Sequence, residues 1–262
     1  MHQLGDQKFL ILLTVPKSGT NLFRILMANY LAHLEGDLRR KTYQDLVARF
    51  PNTLEDYVLG KQKIASPPAG IRDFIYQHGT VTYDANPIFP GPVVAVVRNP
   101  LDYLISAYHF FFATLLELRN QHQHPFEIVD AYLPLLTDGY QAFRRLDCLL
   151  LHYEDLFERP AETFSKAVEY YGLEVKPELI ELAVRHSSMS AAKEYENVAG
   201  PMHTGPNVLK NRVPGFRFVR SGAIGQWQEY FTDDQVAVIE NKLAAAGLSL
   251  TDFICMPRAL SA

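Results

Sequence analysis

The chain has 262 residues, a length typical of one large domain or two small ones, and apolar residues make up 48% of it. Its formal net charge of −4 excludes the broadly basic surface that nucleic-acid binding requires. A small anionic ligand is not excluded, because a few well-placed cations are enough to hold one.

Cysteine use and hydropathy favour a cytoplasmic protein. Cys148 and Cys255 lie far apart and show no metal-ligand spacing, so reduced thiols are expected rather than a disulfide framework. The longest N-terminal apolar stretch, residues 9–15, is too short to span a bilayer and lacks the features of a signal peptide. Stable membrane insertion is therefore not expected.

Apolar runs that fit buried strands alternate with helical patterns along the chain. Continuous apolar residues predict strands at 9–15, within 73–79, at 91–98 and at 147–156. Apolar residues at helical spacing predict helices at 21–34, 100–112, 161–171, 177–186 and 232–246. This order predicts a single α/β domain over residues 1–262, with a central parallel β-sheet flanked by helices.

Two stretches are less regular. Residues 36–70 are polar and mixed, and we assign no element to them except a loop at “SPPAG”, 66–70. Residues 188–222 are rich in glycine, proline and asparagine, which predicts a long loop or lid.

The first distinctive loop is “VPKSGTN”, residues 15–21, directly after the first strand. Gly19 permits close backbone approach, Ser18 and Thr20 add hydroxyl groups, and Lys17 adds a charge beside the free amides of a helix N-terminus. Ser18 or Thr20 is also placed to cap that helix. These features are typical of phosphate binding. The order of residues differs from the G-x-x-x-x-G-K-[ST] pattern, and an ordinary strand–turn–helix remains open.

The second distinctive loop follows the third predicted strand. Arg98 ends the strand, Asn99 is placed as the N-cap of the next helix, and Pro100 suits its first position. Ser106 lies eight residues after Arg98. The guanidinium group of Arg98 is suited to binding phosphate, although Arg98 considered alone also fits a surface ion pair with a carboxylate. Ligands of parallel sheets sit outside the carboxyl ends of the strands, so both loops are placed to share one ligand.

Three motifs occur in the order and spacing found in sulfotransferases that use 3′-phosphoadenosine-5′-phosphosulfate (PAPS). “VPKSGTN” resembles that family's loop for the 5′-phosphosulfate, and “VVRNPLDYLISAYHFF” resembles its 3′-phosphate motif. “FVRSGAIGQWQEYFT”, residues 218–232, resembles its C-terminal loop. The resemblance implies a P-loop-like nucleotide-binding fold, PAPS as co-substrate, adenosine 3′,5′-bisphosphate as product, and no metal.

The resemblance also implies which residues bind the donor. They form the 5′ loop, the 3′-phosphate pair, the adenine pocket and the C-terminal loop, in that order: Lys17, Ser18, Gly19, Thr20 and Asn21; Arg98 and Ser106; Tyr153, Ser187 and Met189; Arg220, Ser221 and Gly222.

The sequence departs from the family pattern at several positions. Leu22 stands where the family has a tryptophan, and Tyr76 and Ser221 stand where it has lysines. These changes remove a stacking ring and positive charge from the donor site. Weak binding of the donor, or use of a different donor, therefore remains an open alternative. The family's dimer motif is poorly kept in “QEYFTDDQVA”, so we predict no oligomeric state.

The resemblance implies a reaction in which the sulfonate group moves in line from PAPS to an acceptor hydroxyl or amine. His78 falls where the family keeps its catalytic histidine and is predicted to be the general base; without the resemblance, a structural histidine is the ordinary interpretation. Lys17 is predicted to stabilise the charge on the leaving oxygen, and Ser106 to bind the 3′-phosphate and modulate Lys17.

The acceptor is expected to be a small hydroxylated and partly apolar molecule. Phe110, Phe111 and Phe112 cannot all face one core, so at least one is expected to line an apolar acceptor pocket, although packing of all three between helices remains open. “HQH”, with His122 and His124, is interpreted as a solvated loop rather than a metal site, because a ligand set needs more partners.

Two alternative functions remain open. A P-loop phosphotransferase would need Mg²⁺ held by a second acidic motif, for which Asp155 in “HYEDL” is the candidate. The second alternative is a nucleotide-binding protein with the same fold and no catalytic activity. The absence of the two expected lysines keeps this alternative open.

Overall fold

A central parallel sheet organises the molecule. The structure, a computed structural model, describes residues 8–64, 67, 70–78, 91–199, 212–217 and 219–253. The strands of the sheet are β1 (Lys8–Thr14), β2 (Ile71–His78), β3 (Val93–Val97) and β4 (Leu149–His152). They lie in the order β2-β1-β3-β4, and every pairing is parallel, which confirms the predicted sheet.

Helices connect and cover the strands. They are α1 (Thr20–Leu34), α2 (Tyr43–Arg49), α3 (Leu54–Val58), α4 (Pro100–Tyr108), α5 (Val129–Arg145), α6 (Tyr153–Glu158), α7 (Pro160–Tyr170), α8 (Pro177–His186), α9 (Met189–Ala199) and α10 (Asp233–Ala245). A π-helical turn, His109–Ala113, continues α4, and 3₁₀ turns lie at Pro125–Ile128, Gln226–Glu229 and Leu250–Phe253. Within the described residues, no helix is long and apolar enough to cross a membrane.

Apolar side chains cover both faces of the sheet, because successive residues of a strand point to opposite faces. In β1, Ile11 and Leu13 pack in one cluster with α4, α5 and α10, whereas Leu10 and Leu12 pack in the other with α1, α7 and α8. Burial on both faces explains why the strands appear in the sequence as continuous apolar runs.

The register of the sheet brings three strand ends together. Thr14, the last residue of β1, lies opposite His78 at the end of β2 and opposite Val96 near the end of β3. The loops that follow β1 and β3 therefore leave the same edge of the sheet at neighbouring points.

The prediction of a loop over 188–222 is wrong in its first third, where the chain forms α9. The glycine and proline residues that suggested a loop lie at 200–215, whereas 189–199 is rich in the helix formers alanine, glutamate and lysine. The hydroxyl group of Ser188 accepts a hydrogen bond from Ala191 N, 3.2 Å long, at the start of this helix. Residues 200–211 and 218 lie outside the described residues.

Two further elements end earlier than expected, and two short helices were not expected. The fourth strand ends at His152 because Tyr153 already begins α6, and α4 ends at Tyr108. In the unassigned region, α2 and α3 each begin with a capping box, formed by Thr42 with Asp45 and by Thr53 with Asp56. The signal “T-x-x-D” was therefore present in the sequence.

Candidate active site

The loop after β1 turns sharply into α1. Lys17 and Gly19 have positive φ angles of 73° and 103°, and Gly19 is the N-cap of α1. A Cβ atom at Gly19 would lie 2.7 Å from Cδ2 of Tyr153, so both the backbone angle and the approach of the ring require glycine. The first amides of α1, which have no acceptor inside the helix, begin at this turn.

The predicted side-chain cap of α1 is wrong. Gly19 takes the N-cap position, and no side chain caps the helix. Thr20 Oγ1 instead shares a hydrogen bond of 2.6 Å with Thr14 Oγ1 at the end of β1. Ser18 is fully buried, and its hydroxyl group has no hydrogen-bond partner among the described residues.

The loop opens onto a cavity of about 380 Å³. Twelve of the thirteen residues predicted to bind the donor line this cavity: Lys17, Gly19, Thr20, Asn21, Arg98, Ser106, Tyr153, Ser187, Met189, Arg220, Ser221 and Gly222. Ser18 does not line it, because its side chain is buried. The fold therefore brings together residues from five separate parts of the chain.

Arg98 is a buried cation at the centre of these contacts. Its side chain is 7% exposed, and it donates hydrogen bonds to the carbonyl oxygens of Lys17 (3.3 Å) and Ala223 (3.4 Å). The guanidinium group lies 4.3 Å from the centre of the Tyr153 ring. Its Nε has no hydrogen-bond partner among the described residues, so one buried donor is available to a ligand.

The C-terminal loop closes against Tyr153 and α4. The Tyr153 hydroxyl group donates to the carbonyl oxygen of Gly222 over 3.0 Å, and a Cβ atom at Gly222 would lie 1.9 Å from Cε of Met189. Buried Asp102, in the first turn of α4, accepts hydrogen bonds from the amides of Gly225 (2.7 Å) and Trp227 (3.2 Å).

Arg220 and Ser221 share one partner in this loop. Arg220 Nη2 donates to Gln226 Oε1 over 2.7 Å, and Ser221 Oγ donates to the same oxygen over 2.6 Å. The Gln226 side chain therefore orients both Arg220 and Ser221, the second of which stands where the family pattern has a lysine.

Three cationic side chains, Lys17, Arg98 and Arg220, line the cavity. Burial, together with the charges of Arg98, Arg212 and Arg220, lowers the pKa of Lys17 to about 7. Burial also lowers the pKa of Arg220. Buried cations are costly without an anionic partner, so the arrangement suits a ligand that carries several negative charges.

The two remaining residues with predicted catalytic roles, His78 and Ser106, lie on different elements of the fold. The backbone of His78 ends β2 directly opposite Thr14, beside the loop that carries Lys17. Ser106 lies on α4 and lines the cavity. The proposed roles of both residues in the reaction stay predictions.

The aromatic run after Ser106 divides between the cavity and the core. Phe110 and Phe111 line the cavity, whereas Phe112 is 9% exposed and belongs to the core cluster. Leu22, at the position of the missing tryptophan, also lines the cavity.

Sequence analysis missed two charged residues near the site. Arg212 lies over the Phe110 ring at 4.3 Å, far from it in sequence and without a local pattern that would have indicated the contact. Glu154 is buried, accepts a hydrogen bond from Asn99 N over 3.0 Å, and has its pKa raised to about 7 by that burial. It thereby supports the turn between Arg98 and α4.

The residues considered for metal binding have other partners. His124 accepts a hydrogen bond from Phe126 N and donates one to the Tyr230 carbonyl oxygen over 2.7 Å, so it caps a 3₁₀ turn. Asp155 forms an ion pair with Arg159 at 2.5 Å. Among the described residues, no group of three or more histidine, cysteine, aspartate or glutamate side chains is placed to hold a metal ion.

Sequence comparison identifies relatives with a common activity. The family model for sulfotransferase domains matches residues 92–245. Sulfotransferase 2A6 of Rattus norvegicus is 28% identical over 252 residues, which cover 88% of this chain and 81% of the relative. The 3-beta-hydroxysteroid sulfotransferase of Cavia porcellus is 30% identical over 148 residues, which cover 53% of this chain and 50% of the relative.

Two solved structures share the fold. Retinol dehydratase, in complex with androsterone and the inactive cofactor PAP, matches with a TM-score of 0.63 at 18% identity, covering 95% of this chain and 82% of that one. Mouse sulfotransferase SULT7A1 complexed with PAP matches with a TM-score of 0.62 at 17% identity, covering 92% and 84%. These matches confirm the predicted P-loop-like α/β fold.

Proposed function

The chain belongs to the sulfotransferase domain family, and from this premise we propose that it moves a sulfonate group from PAPS to the hydroxyl group of a small apolar alcohol. The observation that carries the proposal is the cavity in which Lys17, Arg98 and Arg220 converge between two glycine-containing loops. Three cations from separate motifs suit a ligand with phosphate groups at both ends.

In the proposed complex, the two loops hold opposite ends of the donor. Lys17 and the first amides of α1 bind the 5′-phosphosulfate, while Arg98 and Ser106 bind the 3′-phosphate. The unpartnered Nε of buried Arg98 supports this assignment, because a phosphate oxygen would satisfy it. Tyr153 and Gly222 border the adenosine, and the PAP-bound structures with this fold support PAPS as the donor.

The proposed reaction forms one bond and breaks one bond at sulfur. The acceptor oxygen attacks the sulfur atom, the bond from sulfur to the bridging phosphate oxygen breaks, and adenosine 3′,5′-bisphosphate leaves. Protonated Lys17 stabilises the charge that grows on the bridging oxygen. His78 takes the proton of the acceptor hydroxyl group, a task suited to a side chain whose ordinary pKa is about 6.5.

The proposed acceptor is an apolar alcohol of small-molecule size. Phe110 and Phe111 give the cavity an aromatic wall next to Ser106. One relative is named for a 3-beta-hydroxysteroid, and one structure with this fold contains androsterone. A long acidic glycan would instead require an extended basic groove.

We further propose that one sulfotransferase domain spans residues 1–262 and acts in the cytoplasm. The first proposal is supported by β1 and its loop, which precede the family match yet belong to the same sheet and cavity. The second is supported by Cys148, which forms no disulfide bond within the described residues. Cys255 lies outside the described residues.

Calorimetry with two nucleotides tests the proposed donor. We expect adenosine 3′,5′-bisphosphate to bind without metal and more tightly than ATP with Mg²⁺. A preference for ATP with Mg²⁺ would instead favour the phosphotransferase alternative and overturn the PAPS proposal.

Substitution of histidines tests the proposed base. We expect His78→Ala to abolish sulfonate transfer, assayed with labelled PAPS and a hydroxysteroid, while bisphosphate affinity stays within about twofold. His122→Ala is the matched control and should retain turnover, because His122 lies by Glu127 at 3.4 Å, away from the cavity lining. Normal turnover in His78→Ala would remove this residue from the mechanism.

A further inference from the structure

Lys17 contacts an aromatic ring in the cavity. Its Nζ atom lies 3.8 Å from the centre of the Phe110 ring. Phe110 stands four residues after Ser106 and, with Lys17, lines the cavity. An ammonium group over the face of a ring is attracted by the ring's quadrupole, and the attraction grows as water is excluded.

The Phe110 ring is itself held by the segment 212–217. Arg212 Nη1 donates hydrogen bonds to the Phe110 carbonyl oxygen and, over 2.7 Å, to Thr114 Oγ1. The Arg212 guanidinium group lies 4.3 Å from the Phe110 ring centre and 4.7 Å from that of Phe216. The position of the ring is therefore fixed by both backbone and side-chain contacts.

Three arginines near Lys17 in the described part of the chain disfavour its protonated form. Arg98, Arg212 and Arg220 repel the ammonium group, and burial removes its water. The face of Phe110 supplies a compensating attraction from an uncharged group that does not compete for the anionic ligand.

We propose that Phe110 is a positioning residue whose ring holds the Lys17 ammonium group at the cavity and increases the fraction of Lys17 that is protonated. The role rests on the sulfonate transfer proposed above, in which Lys17 stabilises the leaving oxygen. It is distinct from lining the acceptor pocket, because Phe111 lines the same cavity, yet no lysine or arginine lies over its ring within the described part of the chain.

Fluorination of the ring tests the proposal without changing its shape. Replacing Phe110 with 3,4,5-trifluorophenylalanine weakens the quadrupole, so the Lys17 titration midpoint should fall by about half a unit to one unit. The midpoint is read by NMR on ¹³C-labelled lysine in the ligand-free protein, with the resonance assigned by Lys17→Arg. The same analogue at Phe111 is the matched control and should leave the midpoint unchanged.

Natural substitutions give a second measurement. Phe110→Tyr should keep the wild-type midpoint, whereas Phe110→Leu should lower it and shift the alkaline limb of kcat/KM for PAPS in the same direction. Equal midpoints in the wild type and the fluorinated protein would overturn the role of Phe110, even in an active enzyme. A shifted midpoint in a chain that transfers no sulfonate would overturn the proposed function alone.

Discussion

Burial and three neighbouring arginines lower the pKa of Lys17 to about 7, so near neutral pH this side chain exists in both protonation states. A solvated lysine would stay charged until a pH of about 10. Binding an anion favours the charged state, because a phosphate oxygen compensates the repulsion from Arg98, Arg212 and Arg220. Proton uptake by one residue is therefore coupled to occupation of the cavity.

This coupling predicts that bisphosphate affinity decreases between pH 7 and pH 9. Free Lys17 loses its proton as the pH rises through about 7, and binding must then restore it, so affinity should fall by up to about tenfold per pH unit. Calorimetry in buffers of different ionisation enthalpy measures both the affinity and the proton taken up. Lys17→Arg stays charged, so its affinity should be nearly independent of pH over this range; an equal slope in both proteins would contradict the assignment.

A methyl group at Gly19 should damage the cavity. Gly19→Ala must strain a φ angle of 103° and displace the Tyr153 ring, whose Cδ2 atom would lie 2.7 Å away, so we expect bisphosphate affinity to fall at least tenfold. Gly36→Ala is a matched control, since its φ is 86° but its Cβ would meet no atom within 4 Å. Gly36→Ala should lose about 1–2 kcal/mol of unfolding free energy through backbone strain, Gly19→Ala at least as much, and only Gly19→Ala should lose affinity. Equal bisphosphate affinity in the two variants would show that the close approach of Tyr153 has no role in binding.

At the scale of elements, α4 links the loop of Arg98 to the C-terminal loop. Its N-terminus follows Arg98 with Asn99 as the cap, whose Oδ1 accepts a hydrogen bond from Leu101 N over 2.9 Å. One turn further, Asp102 holds the amides of Gly225 and Trp227. A single short helix therefore positions cations from two motifs that are far apart in sequence.

Removing this link should loosen the C-terminal loop. Asp102→Ala leaves two amides without their carboxylate acceptor, so we expect a loss of about 2–4 kcal/mol in unfolding free energy and weaker bisphosphate binding. Urea denaturation and calorimetry measure the two effects. Asp130→Ala is the control, because the 2.7 Å ion pair of Asp130 with Lys242 is exposed and should contribute little. Equal losses in the two variants would contradict a specific role of Asp102.

Local signals allowed several elements to be predicted and others to be missed. Asn99, Pro100 and Asp102 predict the start of α4, and the continuous apolar runs predict the strands. Both signals can be read from the sequence because they depend on neighbouring residues. The capping boxes of α2 and α3 were local as well, but each begins a helix of only seven or five residues with little apolar pattern. Short helices of this kind depend on tertiary packing.

At the scale of the whole molecule, the two apolar clusters stabilise the sheet from opposite faces. Phe164, on α7, is fully buried and makes edge-on ring contacts with Phe23 and Tyr30 of α1, at 6.0 Å and 5.7 Å between ring centres. The helices that cover one face are thus joined to each other as well as to the strands.

A cavity in this cluster should destabilise the whole fold. We expect Phe164→Ala to lower the free energy of unfolding by about 3–5 kcal/mol, because the lost contacts are fully buried. Val198→Ala is the control, since Val198 is 87% exposed and should change stability by less than about 0.5 kcal/mol. Chemical denaturation followed by circular dichroism measures both. Similar midpoints would contradict the described packing.

Most of the candidate site could be predicted from the sequence, because its motifs are short, and those of Lys17 and Arg98 directly follow strands. The contacts between motifs could not. Arg212 meets Phe110 across a separation of 102 positions, and the hydroxyl group of Ser18 is buried rather than aimed at the cavity. Such outcomes depend on how distant segments pack, which no local pattern records.

The order of the strands has a consequence for how far the site can change. β1 and β3 are adjacent, so the strands that precede Lys17 and Arg98 are separated by one interstrand spacing, about 4.8 Å. That separation is set by main-chain hydrogen bonds, which side-chain substitutions do not alter. Substitutions in the aromatic wall of Phe110 and Phe111 can therefore change the shape of the cavity while the spacing of the two strands that lead to Lys17 and Arg98 stays constant.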